Sequence, residues 1–176
     1  MLQKLMVFLS FCVTISVFGQ EIMTFKDGQQ YPATTSWDFI CENYMLGGLL
    51  NVQVGKTEKG GLLQLSVPVS DNSFYIGGTV YLFLEDNSII TCTDKGFRQN
   101  KPGLATSWYS FSIAEMNRLK TSAIINVRFA IKGKENRFTS QAGHFITWNR
   151  KSYYKLGLKP VRNNFETETA ISSLYQ

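Results

Sequence analysis

From residue 35 onward the chain alternates apolar and polar residues with period two, the pattern of strands that bury one face and wet the other. Over 35–44, Trp37, Phe39 and Cys41 share one side and Asp38 and Glu42 the other. Gly47-Gly48 interrupts the pattern, after which Leu50, Val52 and Val54 alternate with Asn51 and Gln53. A turn over 56–61 leads to Leu63, Leu65, Val67 and Val69. Pro68 lacks the N–H a ladder needs, so this strand lies at a sheet edge or ends there. Residues 74–84 read as a long strand bent at Gly77-Gly78. Glu85-Asp86-Asn87-Ser88 is a turn, 89–93 the returning strand, and 98–105 a polar loop. A short strand spans 107–111. Ser112 with Glu115 matches a capping box, which predicts a helix over 113–119. Ile125, Val127, Phe129 and Ile131 mark the cleanest strand, followed by a polar loop to about 143 and weaker strands over 144–148 and 152–158. Phe165, Ala170, Ile171 and Leu174 fall on one helical face, as a short terminal helix or a frayed end. These elements predict a mostly β fold: a single antiparallel β-sandwich, with a partly open β-barrel as the alternative.

Residues 1–19 have a different pattern. One cation, Lys4, precedes an apolar run from Leu5 to Phe18, and Gly19 stands where a signal peptidase needs a small residue, with Val17 two positions earlier. This predicts a secretory signal peptide over 1–19 and a single β-rich domain over 20–176. The run is short for a bilayer span of about 20 residues, and none follows in the mature chain. The expected setting is exported: periplasm, cell surface or extracellular space. The absence of any N-x-S/T acceptor suits a bacterial exported protein.

Charge is uneven. Residues 20–90 hold three lysines against eight acids, whereas residues 91–176 hold fourteen Lys and Arg against five. Three basic segments stand out: Lys95, Arg98 and Lys101; Lys132, Lys134 and Arg137; and Arg150, Lys151 and Lys155. Gathered at one end of a sandwich they would form a continuous positive surface for a polyanion; mixing with acidic strands in space is the plainer outcome.

Little in the sequence points to catalysis. His144 is the single histidine, no G-x-S-x-G elbow is present, and Cys41 and Cys92 lack the helix N-terminus or glycine elbow that activates a thiol. Asp38 and Glu42, four residues apart on a strand, are separated by roughly 13 Å, too far for a glycosidase pair. The two cysteines expected in the mature chain, with one histidine, make no zinc site, and the glycine pairs at 47–48, 60–61 and 77–78 lack phosphate-loop spacing, so neither metal nor cofactor is expected. Cys41 and Cys92 lie on the apolar sides of their strands, as a disulfide or as two separate buried thiols. Aromatic residues are the better binding candidates. Trp108 shares with Ser110 a face that reads as wet, opposite Tyr109 and Phe111, and Trp148 sits among Asn149, Arg150 and Lys151.

The stretch from Gly77 to Gly96, Gly-Gly-Thr-Val-Tyr-Leu-Phe-Leu-Glu-Asp-Asn-Ser-Ile-Ile-Thr-Cys-Thr-Asp-Lys-Gly, together with Ile124-Ile125-Asn126-Val127-Arg128-Phe129, resembles small exported β-rich proteins of Gram-negative bacteria that lack an assigned function. The resemblance covers about a third of the chain, implies an envelope or secreted setting, and brings no catalytic residues. The expected role is a non-enzymatic binding module for an anionic polysaccharide, a lipid headgroup or an envelope protein, with nucleic acid not expected. The alternatives are a small hydrolase working through His144 and a structural subunit pairing through an open strand edge such as that of Pro68.

Overall fold

A computed structural model describes residues 20–41, 48–133, 141–151 and 163–176. Its strands are β1 (Glu21–Thr24), β2 (Gln30–Ala33), β3 (Trp37–Ile40), β4 (Leu49–Thr57), β5 (Gly60–Pro68) and β6 (Tyr75–Ile76). They continue with β7 (Val80–Leu84), β8 (Ile89–Cys92), β9 (Arg98–Lys101), β10 (Leu104–Phe111), β11 (Ile124–Lys132) and β12 (Gly143–Trp148). Two helices, α1 (Ile113–Leu119) and α2 (Thr167–Ser173), complete the described fold. The expected signal peptide and the strand expected over 152–158 fall outside the described residues.

The fold is mostly β. All pairings are antiparallel and join one sheet in the order β8-β7-β11-β12-β3-β4-β5-β10-β9, with β1 and β2 attached through β4, and β6 attached to β11. The sheet curls into a half-barrel, which fits the second of the two architectures the pattern allowed. The inward residues of the alternating strands meet inside the curl: Phe39, Leu50, Val52, Leu63, Leu65, Leu82, Ile90, Val127 and Phe129 are all buried there. Gly77-Gly78 breaks the bent strand as expected, and leaves β6 and β7 on the same side of β11. Gly78 has φ +84, a left-handed value that favours glycine.

Both helices pack against this core and against each other. Ser112 caps α1, accepting from the Glu115 amide while the Glu115 carboxylate accepts from the Ser112 amide, so the capping box is complete. The tail forms α2 and is pinned: the Ile124 amide donates to Thr167 Oγ1, Ser172 Oγ donates to the Lys120 carbonyl, and Ile171 and Leu174 are buried.

One expectation is resolved, one is corrected, and one element is new. The Pro68 strand ends at its proline, the second of the two outcomes the sequence left open: β5 lies between β4 and β10 and offers no open edge, and Pro68 is its last residue, where a missing N–H costs little of the ladder. Residues 98–105 form a hairpin, β9 turning at Pro102-Gly103 into β10. An edge strand exposed to water carries no apolar alternation, so Arg-Gln-Asn-Lys reads as loop. Finally, β1 and β2 add a hairpin before the patterned region, and it covers the outer face of β10.

Candidate functional site

That added hairpin decides the fate of Trp108. The residue is only 3% exposed and packs with Met23, Ala33 and Leu62 in a second, smaller cluster outside the curl. Phe25 meets it edge-on, with ring centroids 5.5 Å apart, and its indole N–H donates to Gln64 Oε1 at 3.0 Å. Trp108 is therefore no exposed binding platform: the face that reads as wet is roofed by β1 and β2. Phe25 also meets Phe97 at 5.3 Å, and Lys26 Nζ lies 4.6 Å over the Phe97 ring.

Beside this cluster opens a cleft of about 1200 Å³. The β1–β2 hairpin contributes Phe25, Gln29, Gln30 and Tyr31, and the β4–β5 turn contributes Lys56, Thr57, Glu58 and Lys59. Thr91 and Thr93 line it from β8 and the residues after it, followed by Lys95 and Phe97; Ser110, Phe111, Ser112 and Glu115 close the remaining wall. Local sequence explains each piece. Asp27 Oδ1 accepts from the Gln29 amide and Gly28 takes φ +86, which fixes the first turn. Gly60 has φ +139, and a Cβ there would lie 2.0 Å from the Phe111 carbonyl oxygen, so only glycine lets the β4–β5 turn press against the end of β10.

The cleft combines aromatic rings, amides, hydroxyls and charge. Lys59 and Lys95 are exposed and have no ion-pair or hydrogen-bond partner among the described residues. Lys56 is engaged elsewhere, donating to the Leu174 carbonyl at 3.1 Å and lying 4.4 Å over the Tyr175 ring. Of the two lining acids, Glu115 is committed to the cap of α1 and Glu58 is exposed.

Next to the cleft sits a polar clamp. Asp94 accepts from the Gly78 amide and the Gly96 amide, each at 2.7 Å, and Arg98 Nη2 donates to both its carboxylate oxygens at 2.9 and 2.8 Å. Burial works against the charged carboxyl, but the two amides and the guanidinium outweigh it and hold Asp94 below the usual aspartate value. Arg98 also stacks on Tyr75, 4.4 Å from the ring centroid, while its Nε has no partner among the described residues. Ser107 Oγ donates to the Ile76 carbonyl and Asn100 Nδ2 to those of Asn72 and Phe74, so β6 is tied to β10 and the residues before it to β9.

The other sequence candidates divide between two regions. Lys95 reaches the cleft, Arg98 is spent in the clamp, and Lys101 is exposed at the β9–β10 turn. Lys132 ends β11 opposite Tyr75, whereas Arg150 and Lys151 follow Trp148, the register partner of Asn126. Asn126 and Lys132 are six residues apart on β11, roughly 20 Å. Lys132 Nζ also comes close to Gly78, whose amide donates to Asp94 in the clamp, so Lys132 meets the Lys95–Arg98 segment there, while Arg150 and Lys151 lie towards the other end of the β11–β12 pairing; Lys134, Arg137 and Lys155 fall outside the described residues. Half-buried Trp148 has Arg150 5.4 Å from its ring, and Lys151 lies 5.6 Å from Phe165.

Cys41 and Cys92 are not bridged to each other; both are buried in the main core, the second of the two outcomes the sequence left open. Burial, with a smaller contribution from the Glu115 charge, pushes the Cys92 thiol up to about 12. His144 is exposed on β12, on the side opposite the buried thiols, so no Cys-His pair is assembled. No group of three or more His, Cys, Asp or Glu side chains converges among the described residues, and no helix among them is long and apolar enough to cross a membrane.

Sequence reasoning missed Lys59, Gln29, Gln30, Tyr31, Thr91 and Thr93. The signal for the hairpin was present in Asp27-Gly28 flanked by Phe25 and Tyr31, a turn pair between aromatic residues. Comparison with protein-family models, with curated proteins and with solved structures finds no match for this chain.

Proposed function

We propose that this protein is an exported, non-enzymatic binding module whose contact surface is the cleft between the β1–β2 hairpin, the β4–β5 turn and β8. One observation carries the reading: an open cleft of about 1200 Å³ whose rim holds Lys59 and Lys95, cations without a carboxylate partner among the described residues. Aromatic rings below them and amide and hydroxyl side chains around them supply the rest of the contact. The ligand is an extended anionic chain of the envelope or secreted space, bound weakly and with strong salt dependence, because exposed charges are screened beyond about 8 Å at physiological ionic strength.

Chemical-shift mapping of the labelled domain against oligogalacturonate and against an acidic peptide tests it. Perturbations at Gln29, Lys59, Thr93 and Lys95 that vanish at about 0.5 M salt are expected. Perturbations gathered around Trp148 and Arg150, or none with either probe, would remove the cleft from consideration. The export half of the reading has its own check: protein recovered from the native envelope or medium has the mass of a chain beginning near Gln20. A full-length mass contradicts it.

A further inference from the structure

We propose that the cleft takes its ligand by strand addition: an extended, acidic peptide segment pairs its backbone with the outer edge of β8. The inference rests on the reading of the cleft as the contact surface and names the class of partner.

The argument begins with the hairpin between β7 and β8. The Leu84 amide donates to the Ser88 carbonyl at 2.9 Å and the Asn87 amide to the Leu84 carbonyl at 3.1 Å, with Asn87 at φ 64. In an antiparallel pair, hydrogen-bonded and non-bonded positions alternate. From Leu84 and Ser88 the bonded pairs are therefore Leu82 with Ile90 and Val80 with Cys92, in the observed register. The backbone groups of Ile89, Thr91 and Thr93 point the other way, off the edge of the sheet. The structure agrees at one of them: Arg118 Nη2, from α1, donates to the Ile89 carbonyl at 3.3 Å.

The edge is thus capped at Ile89 by Arg118 and beyond Thr93 by the Asp94–Arg98 clamp. Between the caps, the outward N–H and C=O groups of Thr91 and Thr93 have no hydrogen-bond partner among the described residues, and both residues line the cleft. β10 comes within 8 Å of β8, so the added strand pairs with β8 alone. On its β9 side, β10 bonds through Thr106 and Trp108, the Trp108 amide donating to the Phe97 carbonyl at 2.8 Å; the same alternation turns the Ser110 backbone into the cleft, again without a partner among the described residues.

Exposed strand edges usually carry a guard, a proline or a charge on the strand itself. β8, Ile-Ile-Thr-Cys, carries neither; its guards are its length of four residues and Arg118 of α1 at Ile89, which leave the Thr91 end bare. Unpaired ladder groups two residues apart repeat about every 6.8 Å, the period of an extended peptide backbone. A saccharide chain offers no matching alternation of donors and acceptors. Lys95 and Lys59 beside this edge select acidic side chains on the incoming strand.

The test uses the full domain and two probes: a short peptide alternating glutamate and threonine, and oligogalacturonate. The peptide is expected to slow amide exchange at Thr91 and Thr93 by about tenfold, the worth of one net hydrogen bond. Thr91→Pro is expected to weaken peptide binding by a similar factor of about ten, because it removes an N–H that faces away from β7 and leaves the β7–β8 ladder intact. A peptide N-methylated at alternate positions makes the same deletion on the ligand, with the protein unchanged, and should bind no more tightly than buffer controls. If oligogalacturonate binds in the cleft while the peptide leaves Thr91 and Thr93 exchanging freely, strand addition is overturned and the cleft reading stands. If neither probe binds, both fall.

Discussion

The clamp around Asp94 and the cleft beside it are neighbours built to opposite specifications. In the clamp, one carboxylate satisfies two backbone amides and a guanidinium, and β6 with the residues before it is tied to β9 and β10 by three further side-chain bonds to carbonyls. A few residues away, Thr91, Thr93 and Ser110 present backbone groups to an open space and leave them unpaired among the described residues. The same sheet margin is thus sealed where the fold needs closure and open where it borders the cleft. Unpaired backbone groups are tolerable only because water reaches them. A ligand that replaced that water with its own ladder would gain both bonds and burial.

The contrast is broken most forcefully from below. Trp108→Ala removes the indole that joins the added hairpin to β10 and should cost about 3–4 kcal/mol in urea unfolding. A loss under about 1 kcal/mol would mean that the hairpin does not cover it.

Asp94→Ala should come next, at about 2–3 kcal/mol, since it orphans the Gly78 amide and a half-buried guanidinium. The same carboxyl gives a pH signature. Its folded value lies below the unfolded one, so its stabilisation is present above about pH 4 and drains away as pH falls through the folded value. Asp94→Asn should flatten this acid limb. A residual slope will remain from Asp71 and Asp86, which hydrogen bonds from Ser73 and Ser88 also hold low. An acid limb unchanged by Asp94→Asn would contradict the clamp.

On the open side, Lys59→Glu with Lys95→Glu should change stability by no more than about 0.5 kcal/mol, as exposed positions do, while abolishing retention on an anionic matrix. Stability lost together with retention would make these lysines part of the scaffold. Smallest of all is the expected reactivity of the thiols. With Cys92 pushed up to about 12 and Cys41 buried, neither should alkylate at neutral pH in the folded protein, and both should do so on unfolding without reductant. Thiols that stay unreactive after unfolding would mean a bridge.

Much of the fold was legible in the sequence because burial imposes period two on strands inside the curl. Phe39, Leu65 and Val127 announce themselves this way, as do the Gly77-Gly78 break and the capping box at Ser112. What escaped were elements whose stability comes from elsewhere. Arg98-Gln99-Asn100-Lys101 forms an edge strand held by ladder bonds to β10, with no apolar face to betray it. β1 and β2 hide their apolar residues in a small outer cluster, and missing them turned Trp108 from buried to exposed. The site suffered for the same reason. Lys95 was singled out for its charge, but Lys59 and the Thr91–Thr93 edge line one cleft only because the hairpin, the β4–β5 turn and the end of β8 are brought together in space.

Native-state amide exchange on the ligand-free domain tests the sealed and open halves of this margin most directly. Alternation along one short strand makes the comparison internal, since Ile90 and Cys92 face β7 while Thr91 and Thr93 face the cleft. The structure predicts slow exchange at Ile90, Cys92, Gly78 and Gly96, and near-unprotected exchange at Thr91, Thr93 and Ser110. Thr91 and Thr93 protected as strongly as their neighbours would mean that the edge is already covered, and the cleft would lose the feature on which its proposed role depends.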